Sequence, residues 1–408
     1  MNYIESILAK SCGKKKVKAG EFIEAKCNVI LMNDITGPLA VKEFLANAKR
    51  VKNPKSVFIV CDHFTPNKDI RSAENVKFLR DFAKKFKVNF FETAGVEHVV
   101  LPEEGFVTAG DVVIGADSHT CTYGALGAFS TGVGSTDVAY AMITGKIWFK
   151  VPEVFEFFFY GKRRKFVTGK DLILYTIGKI GVNGANYMAM KFSGPVIENL
   201  PMDERFTMCN MAIEAGAKTG FIVPDRTTKE FLKRARRKPV FFDDDGSVAR
   251  KIEINVSEIT PVVAAPHLPE NVLPARKLSK VKINQVVIGS CTNGRISDLR
   301  QAAKILKGKK VKEGLRVIIL PGSQAVLRQA LKEGLIEIFA NAGCVIAPPS
   351  CGPCLGGHLG ILAGGEVAVS TTNRNFVGRM GAVSSKVYLA SPYVAAASAL
   401  TGRITSPE

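Results

Sequence analysis

Short apolar, β-branched runs alternate along the chain with longer stretches of helical period, the pattern of α/β layers with largely parallel strands. The clearest runs are SVFIVC (56–61), KVNFF (87–91), DVVIGA (111–116), NQVVIG (284–289), LRVIIL (315–320), CVIAPP (344–349) and EVAVS (366–370), each the length of a buried strand. The middle of the chain reads differently. VFEFFFYGKRRKFVTG (154–169) predicts two strands joined by a basic turn around Gly161, and GKDLILYTIGKIGV begins a helix. A second helix carries Cys209, Asn210, Met211 and Glu214, and the basic stretch Lys229 to Lys238 reads as a solvated helix face. The proline-rich segment Pro261 to Pro274 predicts a linker. These features place boundaries near 150 and 278, giving α/β domains over 1–150, 151–278 and 279–408.

The polar residues that end the apolar runs narrow the chemistry. Asp62-His63 ends the first, Glu97-His98 comes after the second, and Asp117-Ser118-His119 after the third. Ser290-Cys291-Thr292-Asn293 succeeds the fourth, Ser350-Cys351-Gly352-Pro353-Cys354 the sixth, and Asn373-Arg374-Asn375 the seventh. Ligands of open α/β sheets bind beyond the carboxyl ends of the strands, so clusters placed there predict one or two shared clefts. His267 and His358 stand alone and are read as structural.

Composition excludes more than it selects. The 408 residues are 46% hydrophobic with 37 Gly and 19 Pro, an ordinary globular balance. A formal charge of +19 leaves nucleic acid, anionic lipid and anionic small substrates all open. The start MNYIESILAK lacks a secretory apolar region, and no run of 18 apolar residues occurs, so a membrane span is not expected. Nine cysteines, mostly inside apolar runs, fit a reduced cytoplasmic protein better than a disulfide scaffold.

Cys351-Gly-Pro-Cys354 has two readings. The same tetrapeptide serves thioredoxin-like dithiols, but there an aromatic residue normally precedes it and no third thiol is needed. Here Ser350 precedes, and Cys291 occupies another glycine-bracketed loop, GSCTNGR. A third thiolate favours a metal or cluster site. Zinc is commonly held by two close-spaced pairs, whereas one C-x-x-C and one distant cysteine fit a [4Fe-4S] cluster with one iron lacking a protein thiolate. Cys344 is a candidate fourth ligand but lies in an apolar run, and it, Cys12, Cys27, Cys61, Cys121 and Cys209 are read as core thiols. An open iron acts as a Lewis acid, and the acid–histidine neighbours His63, His98 and His119 supply proton transfer. Arg374 and Arg379 offer bidentate forks for carboxylates. The assembled chemistry is iron-assisted dehydration of a polycarboxylate.

These residues together resemble the aconitase superfamily, specifically its separate large subunits of the 3-isopropylmalate dehydratase and homoaconitase type. The stretches that carry the resemblance are CDHFTP (61–66), GVEHVVLPEEG (95–105), GADSHTCTYGALGAFSTGVGSTDVA (115–139), TMCNMAIEAGAKTG (207–220), IGSCTNGR (288–295), PPSCGPCLGG (348–357) and TTNRNFVGR (371–379), which run through most of the chain. The resemblance implies three α/β domains around a [4Fe-4S] cluster held by Cys291, Cys351 and Cys354. It implies that His63 with Asp62 protonates the leaving hydroxyl, that His98 pairs with Glu214, and that Asp117, Ser118 and His119 line the cleft. Asn210 and Asn373 would sit beside the cluster, and Arg374 and Arg379 would hold substrate carboxylates. Single-chain relatives continue into a fourth, swivelling domain with the serine base; the chain ends at Glu408 without one. A separate small subunit is therefore the expected partner, and residues that select the substrate side chain are expected mainly there. The resemblance leaves homocitrate or citramalate as alternative substrates, and RNA binding and thiol exchange as distant ones. No nucleic-acid signature is present.

Overall fold

The structure is a computed structural model that describes residues 1–408. Its first sheet has five parallel strands in the order Asn89–Phe91, Val57–Val60, Val29–Asn33, Val112–Gly115, Phe129–Gly132. The chain enters at the central strand Val29–Asn33, winds to one edge, and returns on the other side at Val112–Gly115. The two loops leaving this pair of strands therefore diverge, and the crevice between them is a topological switch point. Val29–Asn33 is buried at every position, as a central parallel strand covered on both faces requires.

The third sheet repeats this logic. Its parallel core runs Val345–Ile346, Arg316–Leu320, Gln285–Gly289, Val367–Ser370, Lys386–Ala390, so a second switch point lies between Gln285–Gly289 and Val367–Ser370. The strands Val262–Ala264 and Val272–Pro274 add an antiparallel edge. The segment expected to be a linker is thus part of this sheet, which begins well ahead of residue 278. Its backbone is tied in by Val263 pairing with Ala390 and by Val262 N donating to Asp171 Oδ1 at 3.0 Å.

Between them lies a parallel four-stranded sheet in the order Thr219–Phe221, Ala189–Ser193, Val154–Tyr160, Arg250–Asn255. The second strand expected after Gly161 does not form. Lys162 N is taken by Ser257 Oγ at 2.9 Å, and Thr168 N by Asp171 Oδ2 at 2.8 Å in a capping box that starts the helix Gly169–Ile180. Val154–Tyr160 is itself paired on both edges, with Ala189–Ser193 and Arg250–Asn255, so no edge is left for a hairpin partner.

The basic stretch also departs from expectation. Its helix spans only Arg226–Phe231 with one further turn, Leu232–Arg234. The chain beyond lies against connections of the first sheet, where Arg236 pairs with Glu104 at 2.9 Å and Arg237 with Asp111 at 2.6 Å. One apolar cluster contains Leu31 and Val113 of the first sheet, Phe155 and Met190 of the second, and Val287 and Leu389 of the third. The sheets thereby share a core that fixes the two switch points relative to each other. No helix is long and apolar enough to cross a membrane.

Candidate active site

A cavity of about 420 Å³ opens where the two switch points meet, lined by Asp62, His63, His98, Asp117, Ser118, His119, Cys291, Cys351, Cys354, Arg374 and Arg379 among others. The polar ends of strands from both sheets thus face one cleft. Asn210, Glu214 and Asn373 stand buried behind its wall.

On the first-sheet side, carboxylates organise the histidines. Asp34 anchors the loop after Val57–Val60 by accepting from Asp62 N, His63 N and Phe64 N at 3.0, 2.9 and 2.7 Å. Asp62 Oδ1 lies 2.5 Å from His63 Nδ1, while its Oδ2 accepts from Glu97 N at 2.8 Å. Burial opposes the charged form of His63, but Asp62, Asp34 and Asp117 outweigh it and hold the imidazolium well above its ordinary range. Asp117 is the hub of the cleft. Its Oδ1 receives His98 Nε2 at 3.1 Å and His119 N at 2.7 Å, and its Oδ2 is 3.6 Å from His63 Nε2. Against burial, its bonds to His119 and His98 hold Asp117 well below the usual carboxylate range.

The expected pairing of His98 with Glu214 is not found. Glu214 Oε1 lies 2.9 Å from His119 Nε2 and 2.8 Å from Arg374 Nε, whereas His98 turns to Asp117 and, through Nδ1, to Tyr123 Oη at 3.2 Å. The reason is placement: Glu214 sits in the one-turn segment Met211–Ala215, which packs against the turns Ser118–Leu126 that carry His119. Burial works against the Glu214 anion, and His119 with Arg374 more than offset it, keeping Glu214 ionised.

Across the cleft, Cys291 follows Gly289 and Ser290, both with positive φ, 136° and 68°. A Cβ at Gly289 would lie 1.9 Å from Leu320 O, so only glycine allows this approach to the neighbouring strand. Ser290 Oγ reaches Cys351 O at 3.2 Å, and Cys351 N donates to Asp62 O at 2.7 Å, joining both cysteine loops to the histidine side. Amide and guanidinium groups surround the sulfurs. Asn373 sits between Cys291 Sγ and Cys354 Sγ at 3.2 and 3.5 Å, Asn210 Nδ2 is 3.6 Å from Cys291 Sγ, and Arg379 Nη2 is 3.8 Å from Cys354 Sγ. The neighbouring Cys351 thiol lowers Cys354 well below an ordinary thiol, with Arg379 and His119 adding to the effect against burial.

This donor set fits an iron–sulfur cluster. Cys291, Cys351 and Cys354 all line the cleft, and hydrogen-bond donors from Asn210, Asn373 and Arg379 face the sulfurs of Cys291 and Cys354, surroundings that suit the thiolate ligands of a cluster. Cys344, by contrast, packs against the apolar core of the third sheet and its thiol is pushed up to about 12 by burial.

Reading the sequence by strand ends misses Asn33 and Asp34, because Val29–Asn33 is not among the clearest apolar runs. Its VILM followed by Asn-Asp nevertheless carries the same signal as the others. Tyr123, Lys170 and Arg295 are missed as well, and no local pattern marks them. The cleft also has apolar walls, Ile35, Val96, Ala116 and Leu355, although selectivity was expected mainly elsewhere.

The Aconitase family (aconitate hydratase) profile matches residues 5–402. The chain belongs to the aconitase family, whose members are iron–sulfur hydro-lyases. It is 60% identical over 415 aligned positions to the 3-isopropylmalate dehydratase large subunit of Thermodesulfovibrio yellowstonii, covering 100% of this chain and 99% of that one. It is also 60% identical to 3-isopropylmalate dehydratase large subunit 1 of Pyrococcus furiosus, covering 100% and 98%. Among solved structures, Thermococcus kodakaraensis aconitase X superposes with a TM-score of 0.51 at 15% identity over 91% of this chain and 87% of that one, a likeness of fold alone.

Proposed function

We propose that this chain is the large, cluster-holding subunit of a 3-isopropylmalate dehydratase of leucine biosynthesis, interconverting 2- and 3-isopropylmalate by dehydration and rehydration. The observation that carries the reading is identity of 60% along the whole chain to large subunits of that name. Apolar walls at Ile35, Val96, Ala116 and Leu355 beside the arginines suit a dicarboxylate bearing an isopropyl group.

Cys291, Cys351 and Cys354 would hold a [4Fe-4S] cluster, which supplies a Lewis-acidic iron for the substrate hydroxyl and carboxylate. The chain's own residues do the rest. His63, kept protonated by Asp62, delivers a proton from Nε2 to the departing hydroxyl. Asp117 orients His98 and His119 so that their rings face the cleft. Arg374 commits its Nε to Glu214 and leaves its Nη groups for a carboxylate, and Arg379 has a buried Nε without a partner, ready for another. The proton on carbon is removed by a base on a small subunit with a swivelling domain, in the cytoplasm.

The test is an anaerobic assay of the reconstituted pair against isopropylmalate, homocitrate, citramalate and citrate. Isopropylmalate is expected to be preferred, and the isolated chain to bind the cluster with little turnover; preference for another acid, or full activity of the chain alone, refutes the reading. Cys291→Ala is expected to abolish iron and sulfide binding while Cys344→Ala retains both.

A further inference from the structure

Lys170 is completely buried at the first turn of the helix Gly169–Ile180 and does not line the cleft. Its Nζ lies 2.7 and 2.6 Å from the carbonyl oxygens of Thr371 and Thr372 and 3.3 Å from Asn293 Oδ1. Three acceptors call for three N–H donors, which an ammonium has and a neutral amine lacks. A buried ammonium gives up its hydration, and no carboxylate forms an ion pair with it. Burial pulls it down to about 7, and the acidic groups of Cys291, Asp298, Cys354 and Asp171 act against that pull, Cys291 foremost.

The acceptors belong to the two loops that leave the second switch point. Thr371 and Thr372 lead directly into Asn373 and Arg374, and Asn293 lies two residues beyond Cys291. Asn293 in turn donates to Asp298 Oδ1 at 2.9 Å, and Gly289 N donates to Thr371 Oγ1 at 2.9 Å, so the loops are already laced together around this point. A lysine from the middle domain closes the lacing. Arg295 makes the corresponding link to the first domain, donating to Cys291 O at 3.1 Å and His98 O at 2.9 Å.

We propose that Lys170 is a positioning residue that fixes the Cys291 loop against the Asn373–Arg374 loop and serves as the interior counter-cation of the cluster thiolates. The proposal rests on the cluster reading given above. It assigns two separable consequences to one side chain. Losing the tether loosens ligand geometry and slows cluster assembly; losing the charge makes an added electron less welcome on the cluster, because a nearby positive charge favours the reduced form.

The experiment uses the full chain reconstituted anaerobically with iron and sulfide, comparing wild type with Lys170→Met, Lys170→Gln, Lys170→Arg and Asn293→Ala. Iron and sulfide per chain are measured, together with the midpoint potential from a redox titration followed by electron paramagnetic resonance. The neutral variants are expected to shift the potential to more negative values and to retain less iron. Lys170→Arg is expected to restore the potential, and Asn293→Ala to lower iron retention while leaving the potential in place. Neutral variants with wild-type iron content and potential overturn the proposal, as does an Asn293→Ala shift equal to theirs. Should neither neutral variant fold, Lys170→Arg decides: a wild-type potential supports the charge role and a shifted one refutes it. A wild-type chain that takes up no iron defeats the cluster reading itself, and this proposal with it.

Discussion

Carboxylates surround the three histidines of the cleft unequally. Asp62 and Asp34 lie beside His63, Asp117 is shared by all three, and Glu214 is divided between His119 and Arg374. The raised His63 imidazolium remains protonated through neutral pH, so a proton donor is present there and is lost only on the alkaline side. Asp62 is the largest favourable influence on it. Asp62→Asn therefore moves the alkaline limb of the kcat/KM profile of the two-subunit enzyme to lower pH and lowers its plateau, by about 10²- to 10⁴-fold if the proton transfer is lost. An alkaline limb unmoved by this substitution would assign the acid to another group. The same carboxylates explain why His63, His98 and His119 were legible from sequence and their partners only partly so. An acid next to a histidine in sequence is visible, whereas Glu214 reaches His119 across 95 positions of chain and its partner can be read only in three dimensions.

At the scale of elements, the site depends on how closely strand ends approach each other. Gly289 lies against the Leu320 carbonyl of the adjacent strand with φ 136°, so Gly289→Ala demands both a forbidden backbone conformation and displacement of a strand. Gly365 has φ 79° but open space around a Cβ. Gly365→Ala is expected to cost about 1–3 kcal/mol of strain and keep iron binding, while Gly289→Ala is expected to cost more than about 4 kcal/mol and lose it. Denaturation midpoints and iron content of the two variants check the contrast. The same closeness governs what the sequence disclosed about the fold. All seven of the clearest apolar runs contain strands of the two switch-point sheets; five of those strands are largely buried, which reads as a uniform apolar run, while Asn89–Phe91 and Val345–Ile346 are half-exposed edge strands. Lys386–Ala390 was hidden because only its Val387, Leu389 and Ala390 are buried, and Val262–Ala264 because prolines flank it. The expected hairpin at Gly161 does not form because Val154–Tyr160 is paired on both edges by strands distant in sequence, and Lys162 N and Thr168 N turn to Ser257 and Asp171.

At the scale of the molecule, the +19 charge is partly structural cement. The irregular segment after Leu232–Arg234 belongs to the middle of the chain, yet Arg236 and Arg237 fasten it to connections of the first sheet on Glu104 and Asp111. Asp111 is the critical member, since its side chain is only 5% exposed and it also accepts from Thr108 N at 2.9 Å. Burial lifts its carboxyl to about 6 even though Arg237 and Thr108 pull the other way. An acid whose folded value lies above its unfolded value near 4 binds its proton better in the native state, so folding weakens as pH rises through that interval. Removing Arg237 raises the folded value further and extends the interval upward. Arg237→Ala should therefore be close to wild type in stability at pH 5, where native Asp111 is largely protonated, and fall behind at pH 8, where the buried anion has lost its counter-ion. The deficit is expected at about 1–3 kcal/mol, toward the lower end because Arg237 itself is 41% exposed and solvent screens the pair. Urea midpoints of the cluster-free chain at the two pH values measure it. Arg237→Ala with Asp111→Asn should abolish the pH-dependent part, and a deficit of equal size at both pH values would show that the arginine acts through packing and not through charge.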